Sequence, residues 1–366
     1  MDLIIIFYLS LLLTVLSTPV CIEYFSRYQI MDFPGERRIN SYAVPRMGGI
    51  VIYISALISI IGFFNDLTEL RFFILGSLSL LLVGIFDDIK DVSYQKKFAI
   101  QFVAALFLLI YLSGTYKTVN FLGIAIPSPL DKIILMIFIV GVINAINLYD
   151  GMDGLVTGFS LLISFVTFCF GWQMNNQFLM ILSASLIGSL IGFLKFNLFP
   201  ARIFLGDSGS LTLGFFLITT VLISSTNPAT KNIDLSFSVI LLAVPVIDTL
   251  RVMAGRILNL KNPFLPDLSH VHHIILSTNM SYIGTLIILQ SFSVIFTAIA
   301  LFYLFKSGIT WVLLFVLFSI TLLYIKKVIF MYRKFRKYIQ VKKFSLKYPI
   351  FITFFTLIQN KDSKWN

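Results

Sequence analysis

Charge is what this sequence has least of. Only 12% of its 366 residues are Asp, Glu, Lys or Arg, about half the share of an average soluble domain. A molecule whose whole surface meets water is thereby excluded. Cysteine is nearly absent: Cys21 and Cys169 stand apart in apolar runs without metal-ligand spacing, and are expected to pack rather than to bind. No basic stretch precedes the first apolar run, which opens on Asp2. This argues against a cleaved leader and for a retained first span. Internal repeats, low-complexity linkers and soluble domains are also lacking.

What the chain has instead is apolar length. It is 58% hydrophobic, with a mean hydropathy of +0.94. Eleven apolar segments are expected at roughly 3–22, 47–64, 70–86, 98–113, 131–148, 155–172, 177–194, 210–225, 235–254, 281–303 and 309–325. Lipid offers the backbone no hydrogen bonds, so these should be helices; the strict alternation of barrel strands is missing. The expectation is an all-α polytopic membrane protein of about 11 transmembrane helices.

Lys and Arg sort cleanly between the two sets of loops. Arg27, Arg37, Arg38, Arg46, Lys90, Lys96, Lys97, Lys195, Arg202, Arg251, Arg256, Lys261 and the tail account for 23 of the 28, and the opposite loops for 5. The positive-inside rule then puts the N-terminus outside and the C-terminus in the cytoplasm. Residues 1–325 form a transmembrane catalytic domain with cytoplasmic loops, and residues 326–366 a basic cytoplasmic tail. That tail, interleaved with Phe and Tyr, reads as a topology signal or a segment lying on anionic lipid. The net charge of +11 is thereby assigned to membrane lipids, and nucleic acid is not expected as a partner.

Acidic residues and histidines gather in the loops of the basic side. That placement argues for an enzyme at the water–lipid boundary over an ion-coupled transporter, which puts ionisable groups near the midplane. In GIFDDIKDVS, Asp87, Asp88 and Asp91 follow the third span; a continuing helix would put Asp87 and Asp91 on one face. Three such carboxylates repel unless a cation intervenes. The alternative is a solvated helix end. In NAINLYDGMDGL, Asn144, Asn147, Asp150 and Asp153 join two spans with Gly151 and Gly154. Oxygen donors of this kind suit Mg²⁺, which combines carboxylates with substrate phosphates. The bland alternative is a polar turn.

FLGDSGSL places Asp207 at a candidate helix start, either an anion cradle or a simple cap. DLSHVHH holds every histidine of the chain, His270, His272 and His273. Zinc would need aspartate partners there, so imidazoles bonding a diphosphate fit better than a metal site, and a polar surface loop is the plain alternative. PGERRINSYAVPRMGG carries Arg37, Arg38 and Arg46, as topology signal or as a phosphate binder.

These motifs, in this order from about Pro34 to His273, resemble the polyprenyl-phosphate N-acetylhexosamine-1-phosphate transferase family. The segments KFNLFPARIFLGDSGS and PVIDTLRVMAGRIL are most similar to its WecA/TagO-like branch. The phospho-N-acetylmuramoyl-pentapeptide transferases are less similar, for they carry three consecutive histidines. The resemblance implies transfer of a sugar 1-phosphate from a UDP-N-acetylhexosamine, by default UDP-GlcNAc, to undecaprenyl phosphate in the bacterial cytoplasmic membrane. The cofactor implied is Mg²⁺, with Mn²⁺ as substitute. Such reactions begin O antigen, enterobacterial-type antigen or teichoic acid linkage assembly. A second copy of the chain is a candidate partner.

By resemblance, Asp207 binds the metal with Asn147 close by; Asp87 and Asp88, with Asp91, belong to the catalytic acceptor-phosphate motif. Asp153 and Gly154 match uridine-recognition positions beside Asn144 and Asp150. His270, His272 and His273 match the donor-diphosphate motif, and Lys97 a phosphate contact. Met152 and Leu268 depart mildly from the pattern. The competing class is a lipid-linked-sugar transporter, which leaves the acidic motifs and histidines unexplained.

Overall fold

The computed structural model describes residues 2–34, 42–64, 67–260, 262, 269–278 and 280–304. Among the described residues, eight helices are long and apolar enough to cross a membrane: α1 (Asp2–Arg27), α3 (Leu67–Ile89), α4 (Tyr94–Ser113), α5 (Leu130–Tyr149), α6 (Leu155–Gln173), α7 (Gln177–Asn197), α8 (Gly206–Ser224) and α12 (Tyr282–Leu304). The chain is thus a mostly helical, polytopic membrane protein.

Three of the eleven expected segments fare differently. The second is α2 (Gly48–Ile61), whose 14 residues reach about 21 Å, short of a hydrocarbon core of roughly 30 Å. The ninth is broken into α9 (Leu235–Leu241) and α10 (Ala243–Leu258), which meet at 82°. Pro245 in the first turn of α10 supplies no amide for the helical ladder, a recognised cause of such bends. The eleventh, at 309–325, lies outside the described residues, as do the tail and Arg37, Arg38 and Leu268. The short α11 (Val271–Leu276) carries two of the histidines.

The chain is not purely helical. β1 (Met31–Asp32) pairs antiparallel with β2 (Val44–Pro45). A second sheet runs in the order β4 (Ile124–Ile126), β3 (Thr118–Phe121), β5 (Asn232–Asp234), with β3 and β4 antiparallel and β3 and β5 parallel. Both sheets lie at helix ends, where hydropathy is uninformative. Cys169 is exposed on α6 rather than packed, whereas Cys21 is half-buried.

The core centres on α8. Of its most apolar stretch 89% is buried, against 22% for α1, so α8 is the post about which the other helices stand. Small residues let backbones close on it. A Cβ on Gly49 would lie 1.9 Å from Gly209 Cα, and one on Gly84 2.4 Å from Ser208 Cα. Polar side chains inside α8 bond their own helix: Thr219 donates to the Phe215 carbonyl at 2.7 Å and Ser224 to that of Thr220 at 2.7 Å. The helices alternate so that the ends of α3, α5, α7 and α10 meet the starts of α2, α4, α6, α8 and α12. The described parts of all the polar motifs fall at that one end.

Candidate active site

The site begins with how α8 starts. Its first amides have no partner within the helix. The Asp88 carboxylate, at the end of α3, takes two of them: Asp207 N–H at 2.9 Å and Ser208 N–H at 3.0 Å. Gly206 precedes with φ +72°, and a Cβ there would strike the Asp88 carboxylate at 2.5 Å. So Asp88, buried, binds the α8 N-terminus and both its oxygens are engaged.

One residue earlier, Asp87 faces the other way. Its Oδ1 accepts from the Val92 amide at 2.8 Å, and its Oδ2 accepts from Lys97 Nζ at 2.6 Å. The same ammonium donates to Asp207 Oδ2 at 2.6 Å. Lys97, in the first turn of α4, thus bridges two carboxylates from α3 and α8. Asp91 does not join them: α3 stops at Ile89 and Asp91 is exposed beyond it.

On its other side Asp207 lines a cavity of roughly 290 Å³ shared with Arg46, Asn147, Asp150, Asp153, Phe199, His273 and Tyr282. Asn147 donates to Ser210 Oγ at 2.8 Å, which leaves its amide oxygen for a ligand. The Asp150 carboxyl is pushed up to about 8, first by burial and then by the charges of Asp207, Asp88 and Asp153, with Arg46 opposing. Asp153 is also raised by burial, although it accepts from the Ala201 amide at 2.9 Å. Its own N–H donates to the Tyr282 hydroxyl, and the Tyr282 ring stacks on Phe199 with centroids 4.2 Å apart. Asn144, one turn before Asn147 on α5, is half-buried and does not line the cavity.

Three residues matter that the sequence reading passed over. Asn197, at the end of α7, accepts from the Gly154 amide at 3.1 Å and from Thr157 Oγ1 at 2.7 Å, and donates to the Ile203 carbonyl at 3.0 Å. It fixes Gly154, whose φ is +73°. Asp248 on α10 holds His270, and Tyr282 holds the Asp153 turn. A signal existed for each: a polar residue at the end or middle of an otherwise apolar segment.

The histidines occupy distinct places. His273 lines the cavity. His270 is tied to Asp248 at 2.9 Å. His272 is buried against Gly151, where a Cβ would lie 2.1 Å from its Nε2. Burial first, and then His273 and His270, push the His272 ring down to about 3, so it is neutral. Gly151 is therefore needed for the close approach of the His272 ring.

The donors at the Asp207 corner suit a hard divalent cation. They are oxygens only, and the raised Asp150 carboxyl marks an excess of negative charge. Among the described residues no three His, Cys, Asp or Glu side chains form a closed cage. A Mg²⁺ completed by substrate phosphates and water needs none.

A family model, Glycosyl transferase family 4, matches residues 71–225, which include all the acidic motifs. A probable undecaprenyl-phosphate N-acetylglucosaminyl 1-phosphate transferase of Bacillus subtilis is 30% identical, over 85% of this chain and 87% of that protein. The undecaprenyl-phosphate alpha-N-acetylglucosaminyl 1-phosphate transferase of Thermotoga maritima is 34% identical, over 78% and 85%. A phospho-N-acetylmuramoyl-pentapeptide-transferase of Enterococcus hirae is 34% identical over less, 57% of this chain and 71% of that protein.

Proposed function

The chain belongs to glycosyl transferase family 4, and from that premise we propose that it transfers N-acetylglucosamine 1-phosphate from UDP-GlcNAc to undecaprenyl phosphate. The observation that carries this is the double position of Asp207. It faces the polar cavity on one side and shares Lys97 with Asp87 on the other. The cavity suits a nucleotide sugar. The α4 side suits a lipid, for an apolar groove between Phe102, Leu106 and Ile110 of α4 and Ile133, Met136 and Ile137 of α5 lies along the outer face of these two helices. Donor and acceptor phosphates then meet at Asp207.

An oxygen of the lipid phosphate attacks the phosphorus that bears the sugar. The bond from that phosphorus to the bridging oxygen breaks, and the electron pair leaves with UMP. A phosphate monoester has a second pKa near 6, so at neutral pH the acceptor is already largely dianionic and requires no strong base. The harder task is to bring two anions together. Lys97 screens the approach, while Asp87 holds Lys97 in place. Asp88 shapes the α8 start; with both oxygens bonded to amides it is a holding group rather than a covalent nucleophile. Phe199 and Tyr282 wall the cavity, and Asp153 and Asn197 keep its turns in register. Asp207, Asn147 and Asp150 would hold Mg²⁺, with Mn²⁺ able to replace it, and the ion supplies charge neutralisation on the transferring group.

The Lys and Arg bias supports a site that faces the cytoplasm, on the inner face of a bacterial membrane, where the product can begin surface-polysaccharide assembly. Purified protein given UDP-GlcNAc, undecaprenyl phosphate and Mg²⁺ should release UMP and form the lipid-linked sugar, and EDTA should stop it. A panel of UDP-N-acetylhexosamines fixes the sugar; no UMP from any of them sinks the proposal. Cysteine labelling of positions 87, 207 and 272 from the two membrane faces tests the orientation.

A further inference from the structure

Asp248 is the one acid in the broken ninth segment apart from Asp234 at its start, and it is buried. A buried carboxylate is costly unless each oxygen is bonded. Here both are. Oδ1 accepts from Arg251 at 2.6 Å and from the Val271 amide at 3.1 Å. Oδ2 faces His270 Nδ1 at 2.9 Å. Arg251 also donates to the Ser269 carbonyl at 2.5 Å. Two residues of α10 thus grip three consecutive residues, Ser269, His270 and Val271. This is the turn that launches α11, and with it His272 onto Gly151 and His273 into the cavity.

We propose that Asp248 is a positioning residue, which fixes the His270 ring with its Nδ1–H directed at the carboxylate and, together with Arg251, sets where the α11 histidines meet the cavity. An ionised carboxylate cannot donate, so His270 must carry the proton on Nδ1. Its Nε2 is then the nitrogen left to face outward from the pair. The His270 ring lies nearly parallel to that of His272, at 9° with centroids 5.9 Å apart, so the order imposed at Asp248 extends along the row. The inference rests on the proposed donor site for its kinetic consequence, but not for the tautomer.

Asp248→Asn is the informative variant. Its amide oxygen can keep Arg251 and the Val271 amide, while its NH₂, turned to His270, demands an unprotonated Nδ1. With only three histidines in the chain, ¹⁵N-histidine spectra of the full-length protein in detergent are readable, and His270→Asn assigns the signal. The wild type should show a protonated Nδ1 at His270, and Asp248→Asn the opposite tautomer. The variant's kcat/KM for UDP-GlcNAc should fall on the order of tenfold to a hundredfold, as when an orienting partner of a functional histidine is lost. The KM for undecaprenyl phosphate should hold.

An unprotonated Nδ1 in the wild type overturns the proposal without any variant. So does a flipped tautomer with wild-type kinetics, or a kinetic loss with the tautomer unmoved. Should Asp248→Asn fail to fold, Arg251→Gln together with the wild-type spectrum decides. If the wild type turns over no UDP-sugar at all, it is the proposed function that fails, and the tautomer still reports on Asp248.

Discussion

At one end of the bundle five carboxylates, Asp87, Asp88, Asp150, Asp153 and Asp207, stand close enough to raise or share one another's charge. At the other end Asp234 accepts from the Ser236 amide at 3.0 Å and caps α9, and Asn232 takes the Thr118 hydroxyl at 2.7 Å across the β3–β5 pair. The far end uses its polar groups to close the chain on itself. Among the described residues, the site end leaves negative charge in excess, which Lys97 and Arg46 answer in part. A fold that needed only closure at both ends would have no cause to gather acids at one. The excess is what a cation and two phosphorylated reactants can use.

The largest expected difference between the ends is catalytic. Asp207→Ala and Asp87→Asn should each lower kcat by at least about 10²–10³, the usual loss on removing a preorganised electrostatic group. Asp234→Ala at the far end should cost about 1 kcal/mol of stability through its lost cap, with kcat kept within about twofold. UMP release by the purified variants is the measurement, and normal turnover by Asp207→Ala at ordinary Mg²⁺ would erase the distinction.

Packing offers the next contrast. Gly84→Ala drives a methyl into the α8 backbone, 2.4 Å from Ser208 Cα, and overpacking of this kind costs about 1–3 kcal/mol. Because Ser208 follows Asp207, activity should fall as well. Gly114→Ala, whose nearest neighbour is 3.7 Å away at the far end of α4, should stay within about 0.5 kcal/mol. Thermal unfolding in one detergent ranks the two, and equal midpoints would show that α3 and α8 are not tightly seated at Gly84.

Much of this was legible from residue order, for a physical reason. Hydropathy reports what must leave water, so the long spans stand out, and polar motifs stand out against them. Partner choice is another matter. Asp87 and Asp88 are neighbours in sequence, yet one turns to Lys97 and the other to the α8 amides, because successive helical residues point about 100° apart and only α8's arrival decides which meets what. Asp91 looked equivalent until α3 ended at Ile89. The break at Leu242 hides inside a continuous apolar run, where Pro245 is a weak sign on its own. Asp248 was visible as a charge within that run, but its partner lies 22 residues on, and nothing local predicts the pairing.

The smallest effect expected is also the one that tests the excess charge itself. The Asp150 carboxyl keeps its proton up to about pH 8 in the folded chain, whereas in the unfolded chain it ionises near 4. Between those values the folded state holds more protons, so this group makes stability fall as pH rises. His272 acts with the opposite sign. Its ring is neutral down to about pH 3, while an unfolded histidine takes its proton near 6.5, so its contribution is lost as pH falls below that. From about 4 to 6.5 the two slopes oppose each other. From 6.5 to 8 the His272 slope is spent while that of Asp150 continues, and the metal-free protein should lose a few degrees in unfolding midpoint there. Asp150→Asn should abolish that decline and steepen the loss of stability below pH 6.5, where Asp150 no longer offsets His272. A wild-type midpoint flat from pH 6.5 to 8 in EDTA would mean that the carboxylates at the site end are already balanced, and that the two ends differ less in charge than in shape.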